Sequence, residues 1–324
     1  MILITGGAGY IGSHVNKKLN QEGFETVIFD NFSNGHRELA KWGTVIEGDL
    51  DNIEDIEKVF ETYDIEAVAH LVAFIEVGES VKDPQKFYYN NLVNTLNLLS
   101  VMRKHNVNKI IFSSTAAVFG VPQYVPIDEK HPLDPLNAYG KTKMMIENVF
   151  KDYDLAYGLK SIVFRYFNAA GADPDGETGE WHVPESHLIP IVFEVATGIR
   201  SELKINGNDF PTEDGTCVRD YVHVTDLAAA HVLGLKKLLS GGESATYNLG
   251  YGKGFSNKQV VETIKKVTNK DFPVVIGDRR PGDSPVLVAA SDKIKAELGW
   301  KPEFDNLERI IETAWKWYQN KPKG

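Results

Sequence analysis

Short apolar runs alternate with longer segments of helical periodicity along the first half of the chain. Each run ends in glycine or in polar residues, as buried strands of a parallel sheet do. The intervening segments Tyr10–Gln21, Pro84–His105 and Asn137–Tyr157 have the spacing of amphipathic helices. The alternation predicts a doubly wound α/β fold, a parallel sheet with helices on both faces. The strand candidates are Ile2–Thr5, Thr26–Phe29, Thr44–Glu47, Ala67–His70, Lys109–Ser113 and Ser161–Phe167.

The pattern changes after about residue 168. Gly171–Glu185 is polar and rich in Gly, Asp and Pro, which is typical of a loop or hinge. Short strands and helices then alternate to the end of the chain. We therefore predict a first domain over residues 1–168 and a smaller α/β domain over 169–324, with a return to the first domain at about 219–240. The later helix candidates are Leu188–Thr197, Val224–Ser240, Asn257–Thr268 and Asn306–Gln319.

Composition removes several classes of function. The 324 residues carry a net charge of −10, which argues against bulk binding of nucleic acid. Cys217 is the only cysteine, so no disulfide forms within the chain, and a reducing cytoplasm is the expected location. No apolar run approaches the roughly 20 residues that cross a bilayer, so no membrane association is expected.

A glycine-rich turn follows the first strand candidate and opens the first helix. It reads Gly6-Gly7-Ala8-Gly9-Tyr10-Ile11-Gly12, and Asp30 follows 18 residues after Gly12. Glycines allow close approach to a pyrophosphate, and an acid at this distance binds a ribose diol, so the context predicts a Rossmann-type NAD site. The same acid repels the 2′-phosphate of NADP. The alternative is a structural turn with a surface aspartate.

Thr115, Tyr139 and Lys143 are the candidate catalytic residues. Tyr139 and Lys143 are four residues apart on a predicted helix and face the same way. A phenol titrates near 10, and a neighbouring ammonium lowers its pKa. The pair would form a base for a sugar hydroxyl beside NAD. The alternative is an accidental helix pair, with Thr115 capping a strand end.

Two other sequence features suggest binding sites but lack the residues that such sites need. Gly140-Lys141-Thr142 resembles the end of a phosphate-binding loop, but position 135 is proline where that loop needs glycine. The nine histidines show no metal-ligand spacing, and His182 and His187 share a loop without partner acids at that spacing. We therefore expect no metal site.

Motifs along nearly the whole chain resemble those of the extended short-chain dehydrogenases/reductases. Within them the resemblance is to the UDP-glucose 4-epimerases. Tyr139-x-x-x-Lys143 is the motif of the whole superfamily. The later motifs, around Pro211–Thr216 and Val218–Asp226, restrict the resemblance to nucleotide-sugar enzymes of the epimerase type. These motifs are Thr5–His14, Asp30–Gly35, Val77–Ser80, Ser113–Gly120, Tyr139–Lys143, Arg165–Asn168, Pro211–Thr216, Val218–Asp226 and Arg280-Pro281-Gly282-Asp283.

The resemblance implies inversion at C4 of a UDP-hexose through a transient 4-keto sugar. Tyr139 would take the proton of the 4-hydroxyl, Thr115 would hydrogen-bond that oxygen, and Lys143 would hold the nicotinamide ribose. Asp49 would bind the adenine amine, although a simple helix-start residue before Asn52 explains it nearly as well. The implied NAD-binding residues are Gly6, Gly9, Tyr10, Ile11, Gly12, Asp30, Asn31, Ser33, Asn34, Gly35, Asp49, Leu50, Leu71, Ala73, Asn90, Tyr139, Lys143 and Tyr166.

The resemblance also implies a UDP-sugar site and a homodimer. The dimer would form through Pro84–His105 and Asn137–Tyr157, paired across a two-fold axis as four helices. The arginines would bind phosphate, with Asp283 on the uridine ribose; the alternative for Arg219 is a surface ion pair with Asp220. The implied substrate residues are Thr115, Asn168, His187, Leu188, Asn206, Arg219, Arg280, Asp283 and Leu287.

Some positions depart from the family pattern. Ile75 stands where many members have a lysine for the NAD phosphates, and Asn206 stands where an aromatic residue contacts uracil. His187 stands where an asparagine often contacts the sugar nucleotide. Leu287 is intermediate in size between the bulky tyrosine that excludes N-acetylated sugars in some members and the small residue that admits them in others. Both the uracil requirement and the acceptance of N-acetylated sugars are therefore open.

Three other functions remain as alternatives. A 4,6-dehydratase needs an acid and a base directly after Thr115, where Ala116-Ala117 stand instead. A UDP-glucuronate-type epimerase or decarboxylase would need extra cations at the sugar carboxylate. A non-catalytic NAD-sensing protein would not need Thr115, Tyr139 and Lys143 together.

Overall fold

The structure is a computed structural model that describes residues 1–280 and 283–322. Pro281 and Gly282, the middle of the Arg280–Asp283 motif, lie outside the described residues.

Strands and helices alternate through the described chain. The strands are β1 Ile2–Thr5, β2 Thr26–Asp30, β3 Thr44–Glu47, β4 Ala67–His70, β5 Lys109–Thr115, β6 Lys160–Tyr166, β7 Asn168–Ala170, β8 Leu203–Asn206, β9 Val218–Arg219, β10 Tyr221–His223, β11 Ala245–Leu249, β12 Phe255–Ser256, β13 Val274–Gly277 and β14 Val286–Leu287. The α-helices are α1 Tyr10–Gln21, α2 Ile53–Thr62, α3 Val77–Lys82, α4 Pro84–Phe87, α5 Asn94–Lys104, α6 Ala138–Tyr157, α7 Leu188–Ala196, α8 Val224–Leu239, α9 Asn257–Thr268, α10 Asp292–Leu298 and α11 Leu307–Asn320.

A seven-stranded sheet in the order β11-β6-β5-β4-β1-β2-β3 forms the centre of the fold. All its neighbouring strands are parallel. Strands such as β1 and β4 are buried along their whole length because helices cover both faces of the sheet. The predicted doubly wound α/β fold is confirmed, and all six strand candidates are present, with β5 extending to Thr115.

The predicted single helix over Pro84–His105 is instead three consecutive segments. Helix α4 leads into a π-helix over Tyr88–Val93, and α5 follows. Asn91 holds the wider turn, since its Oδ1 accepts from the Phe74 amide at 2.9 Å and its Nδ2 donates to the Phe74 carbonyl at 3.0 Å. A π-turn shifts the helix face by part of a residue spacing and is frequent at functional sites.

Later parts of the chain return to the central sheet. Helix α8 packs beside α1, and β11 pairs with β6 as an edge strand. Three small sheets complete the described part of the fold, formed by β10 with β7, by β9 with β12 and β14, and by β8 with β13. The division into domains at residue 168 stays a prediction.

The loop after β7, residues 171–187 (the 171–187 segment), is fastened to α1. The Tyr10 hydroxyl donates to the Gly171 carbonyl at 2.6 Å, and Lys17 Nζ bonds both oxygens of Asp173 at 2.8 Å. The ring of Trp181 stacks on His36, with centroids 3.8 Å apart. These contacts place the segment beside the first turn of α1.

Within the described ranges 1–280 and 283–322, no helix combines the length and apolar character needed to cross a bilayer.

Four buried histidines make the fold sensitive to acid. Burial lowers the pKa of His14 and His231 to about 4, and that of His70 and His223 to about 3. The unfolded chain binds these protons below about 6.5, whereas the folded chain resists them. We therefore expect the free energy of unfolding to fall from pH 6.5 towards pH 4, by about 1.4 kcal/mol per pH unit for each histidine that takes up its proton only on unfolding.

Urea unfolding between pH 7 and pH 4.5 measures this loss. A free energy of unfolding that does not change between pH 6.5 and pH 4.5 would contradict the expectation.

Candidate active site

A cavity opens where the order of the central sheet reverses. Strands β1 and β4 are neighbours, but their connections leave in opposite directions, so a crevice forms at their carboxyl ends. The cavity has a volume of about 400 Å³. All eighteen residues predicted to bind NAD line it, and so do Thr115, Asn168 and His187.

Glycine is required at the base of this cavity. A Cβ atom on Gly12 would lie 2.0 Å from the Gly6 carbonyl oxygen, and one on Gly6 would lie 2.9 Å from the Val72 nitrogen. Gly6 also has a φ of +76°, a conformation that favours glycine. Helix α1 begins after Gly9 without a side-chain cap, so its first amide groups remain available for an anion. These residues fit a dinucleotide pyrophosphate.

Asp30 is held at the end of β2 by two backbone amides. Its Oδ2 accepts from Ala8 at 2.9 Å and its Oδ1 accepts from Phe32 at 2.9 Å. Burial raises the pKa of its carboxyl, and the two hydrogen bonds counteract this. Asp49, after β3, accepts from the Asn31 side chain at 2.8 Å. Both carboxylates therefore lie on the same side of the cavity, beyond the glycine turn.

Thr115, Tyr139 and Lys143 meet at the other end of the cavity. Thr115 ends β5, and the others lie in the first two turns of α6, which Asn137 caps by accepting from the Gly140 amide at 2.9 Å. Lys143 Nζ donates to the Ser113 carbonyl at 2.7 Å and lies 6.0 Å from the centre of the Tyr139 ring. Thr115 Oγ1 also accepts from the Ala117 amide at 3.1 Å, as the strand-end cap considered above.

The expected lowering of the Tyr139 pKa is wrong for the protein chain alone. Burial raises the pKa of Tyr139 to about 12; the hydrogen-bonding Thr115 hydroxyl acts in the opposite direction, and the charge of Glu76 raises it further. Burial likewise lowers the pKa of Lys143 to about 7. Desolvation is the largest cause of both shifts, with Lys143 buried and Tyr139 partly buried.

The other predicted substrate residues do not line this cavity. Leu188 begins α7, and the remaining five come together around β9 and β14. Leu287 pairs with Arg219 across these strands, and Arg219 lies 3.7 Å from an Asp283 oxygen. The Asn206 amide, with its oxygen turned to the guanidinium, accepts from Nε and Nη2 of Arg280 at 2.9 Å each.

This second group is joined to the cavity through Asp220. Asp220 directly follows Arg219, and its carbonyl accepts from the Asn168 amide at 2.9 Å. Its buried carboxylate accepts from the amides of Tyr251, Gly252 and Ala289. Asp220 is thus engaged in backbone bonds rather than in an ion pair with Arg219.

The sequence reasoning missed other residues of the cavity wall. Asn94 is one helical turn after Asn90 and lines the cavity, and its buried Oδ1 has no hydrogen-bond partner among residues 1–280 and 283–322. The spacing of the two asparagines was the signal that could have found it.

The expectation that the histidines lack partner acids is also wrong. Glu180, His182, Glu185 and His187, which we call the 180–187 cluster, bring their ligand-type atoms within 4.8 Å of one another. Burial favours the uncharged forms of Glu180 and His187. Their mutual attraction outweighs it, so the pKa of Glu180 is lowered and that of His187 is raised. The acids were overlooked because the loop folds back on itself, which local spacing does not reveal.

Comparisons with known proteins agree with this geometry. A sequence model of a protein family, described as GDP-mannose 4,6 dehydratase, matches residues 3–313. A UDP-glucose 4-epimerase of Rhizobium leguminosarum bv. trifolii is 50% identical over 98% of this chain and 97% of its own length. The chain belongs to the UDP-glucose 4-epimerase family. This family is part of the extended short-chain dehydrogenases/reductases, as the motifs indicated.

Solved structures of UDP-glucose 4-epimerases share the whole fold. One from Brucella ovis, in complex with NAD, is 43% identical with a TM-score of 0.95 and covers 98% of each chain. One from Bifidobacterium longum, in complex with NAD+ and UDP, is 36% identical with a TM-score of 0.93 over 99% of this chain and 98% of its own. Members of the UDP-glucose 4-epimerase family thus carry both ligands on this architecture.

Proposed function

We propose that this protein is an NAD-dependent epimerase that inverts C4 of a UDP-hexose, interconverting UDP-glucose and UDP-galactose. One observation carries the proposal. Thr115, Tyr139 and Lys143 lie in the same cavity as the glycine turn and Asp30, so a nucleotide-binding end and a proton-transfer end share one space. The names and ligands of the relatives described above support the same activity.

The chain's own residues divide the work between proton transfer and binding. Tyr139 takes the proton of the sugar 4-hydroxyl, and Thr115 hydrogen-bonds the same oxygen. Lys143 binds the nicotinamide ribose. NAD, when bound, accepts the C4 hydride and returns it, and its positive ring favours the phenolate that burial opposes. The 4-keto sugar would turn about its pyrophosphate linkage and present its other face, so that the returning hydride inverts C4 while Tyr139 gives its proton back to the C4 oxygen.

The UDP moiety is proposed to lie between Asn168 and the group around β9 and β14. Arg219 and Arg280 carry the positive charge for the two phosphates, and Asp283 binds the uridine ribose. Arg219 is already oriented, since its Nη1 donates to the carbonyls of Val218 and Ser284 at 2.9 and 2.8 Å. The Asn206 amide orients Arg280 in the same way.

Elimination chemistry of the 4,6-dehydratase type does not fit the cavity. Thr115 is followed by Ala116 and Ala117, which form a short 3-10 turn and carry no acid or base. The general acid and base of that reaction are therefore missing from the positions after the threonine.

The direct test incubates the purified protein with UDP-galactose, first without added cofactor and then with NAD. Appearance of UDP-glucose in either mixture supports the proposal, and no conversion in both would overturn it. The same assay with UDP-N-acetylglucosamine decides whether Leu287 admits N-acetylated sugars.

Asp30 is expected to select NAD over NADP. Replacing it in Asp30→Ser removes the charge that repels a 2′-phosphate, so the affinity ratio of NADP to NAD should rise by about 10-fold or more. Fluorescence titration of cofactor-stripped protein measures both affinities. Asp51→Asn is the control, because Asp51 binds the Tyr89 hydroxyl and is not on the cavity wall. An unchanged ratio of the two affinities in Asp30→Ser would show that Asp30 does not select NAD over NADP.

A homodimer and a cytoplasmic location are part of the same proposal. Apolar side chains are exposed on the proposed dimer helices, including Tyr89 and Leu96 on one and Met145 and Leu155 on the other. Such a surface is the kind that a second copy covers. Sedimentation at the mass of a single chain would contradict the dimer. The cytoplasmic location rests on the single cysteine.

A further inference from the structure

The 180–187 cluster has the composition and geometry of a metal site. His187 Nδ1 lies 2.8 Å from an oxygen of Glu180 and 3.3 Å from one of Glu185. His182 Nδ1 lies 3.3 Å from Glu180 and 3.8 Å from Glu185. Zinc bonds of 2.0–2.2 Å in a tetrahedron place neighbouring ligand atoms about 3.3–3.6 Å apart. Two of the four separations, both 3.3 Å, lie in this range, and Glu185 approaches the two histidines with different oxygens, so side-chain shifts would have to bring the four groups around one ion.

Backbone amides orient the Glu185 carboxylate, and an indole holds the backbone of Glu180. Glu185 Oε1 accepts from the amides of Ser186 and His187 at 2.8 and 2.9 Å, and its Oε2 is the oxygen nearest His182. The backbone carbonyl of Glu180 accepts from the Trp317 indole at 2.9 Å. Such supporting bonds fix ligand positions before an ion binds.

The only basic side chains beside the carboxylates of the cluster, within the described residues, are its own histidines. His182 Nδ1 is buried and has no hydrogen-bond partner within residues 1–280 and 283–322, although two carboxylates lie beside it. In the described chain no lysine or arginine lies within 4.0 Å of the carboxylates of Glu180 and Glu185. In the metal-free chain the His187 imidazolium balances Glu180, and a divalent ion would replace that proton and bind both carboxylates and both imidazoles.

A second acidic group in the same loop differs from the 180–187 cluster because it contains a lysine ammonium. Asp173, Asp175 and Glu177 also cluster, but Lys17 Nζ lies among them at 2.8, 3.0 and 2.7 Å. A lysine ammonium already supplies the cation there. This group therefore serves as the internal comparison for the 180–187 cluster.

We propose that Glu180, His182, Glu185 and His187 bind one divalent transition-metal ion of the zinc class. The ligand set of two imidazoles and two carboxylates suits zinc better than calcium or magnesium, which prefer oxygen alone. The ion joins the 171–187 segment to the start of α7, beside Tyr10 at the mouth of the cavity. Its role is to hold this loop in place; because Glu180, His182 and His187 also line the cavity, the metal site is tested separately from the epimerase activity.

The test uses the full-length chain after treatment with a chelator and dialysis. Calorimetric titration with Zn²⁺ alone should give one site per chain. His182→Gln and Glu185→Gln should each weaken that site by at least about 10-fold, since a lost ligand costs no less than a lost supporting bond. Asp175→Asn, in the lysine-filled group, should bind as the parent does. Equal affinity in the parent, His182→Gln and Glu185→Gln would overturn the proposal.

A spectroscopic arm decides the matter even where a variant fails to fold. Co²⁺ added to the unmodified chain should give the intense visible bands of a four-coordinate site, and stoichiometric Zn²⁺ should remove them. Weak bands typical of hydrated six-coordinate Co²⁺ would overturn the proposal. Neither arm contains NAD or a UDP-sugar, so failure here and failure of the epimerase assay are separate results.

Discussion

Tyr139→Phe is expected to lower kcat for UDP-galactose by between about 100-fold and 10,000-fold, the range that a positioned general acid–base supplies. The variant keeps the ring that lines the cavity and removes only the hydroxyl that exchanges a proton with the sugar. NAD should still bind, because the glycine turn and Asp30 are unchanged. Steady-state kinetics with UDP-galactose, together with the NAD content of the purified variant, measure both effects.

Tyr166→Phe is the matched control for this variant. Tyr166 lines the same cavity, but its hydroxyl is hydrogen-bonded to His231 Nε2 at 2.5 Å. We therefore do not expect it to exchange a proton with the sugar. The same loss of one oxygen should therefore leave most of kcat intact. Full activity in Tyr139→Phe, or an equal loss in both variants, would remove Tyr139 from the mechanism.

The largest expected loss of stability follows removal of Glu147. Its carboxylate is 2% exposed, accepts from Arg165 Nη2 at 2.6 Å and Nε at 3.1 Å, and accepts from Ser114 Oγ at 2.6 Å. Glu147→Leu leaves the Arg165 guanidinium buried without its counter-charge. We expect the free energy of unfolding to fall by about 3–5 kcal/mol, as when one partner of a buried ion pair is removed. Urea unfolding measures it.

Two further variants make this prediction specific to burial. Lys160 and Glu243 form an ion pair at the surface, so Glu243→Ala should change the free energy of unfolding by less than about 1 kcal/mol. The double variant Glu147→Leu with Arg165→Met removes both charges and should recover most of the loss. A loss in Glu147→Leu no larger than that in Glu243→Ala would show that the buried pair contributes little.

Local pattern was sufficient for the central sheet and the nucleotide-binding end. Ile2–Thr5 and Tyr10–Gln21 have the predicted bounds because a continuous apolar run and a helical apolar stripe are properties of neighbouring residues. The glycine turn between them carries its own steric requirement, which the Gly6–Gly12 contact demonstrates. The family resemblance added the other residues of the eighteen predicted to bind NAD, all of which line one cavity.

Features set by distant parts of the chain were not accessible to the same reasoning. Strand β11 mixes polar and apolar residues and becomes a strand because β6 lies beside it. The 180–187 cluster depends on a loop folding back, and the π-helix depends on side-chain bonds between Asn91 and Phe74. The Tyr139 pKa depends on burial, which spacing between two residues does not report.

The position of β11 has a consequence for synthesis on the ribosome. Strand β6 emerges about 80 residues before the strand that covers its outer edge, an interval long enough for other contacts to form first. During that interval the β6 backbone presents unpaired amide and carbonyl groups to any passing strand. Chains cut short between the two strands should therefore accumulate as insoluble material to a greater extent than the full-length chain, in which β11 pairs with β6.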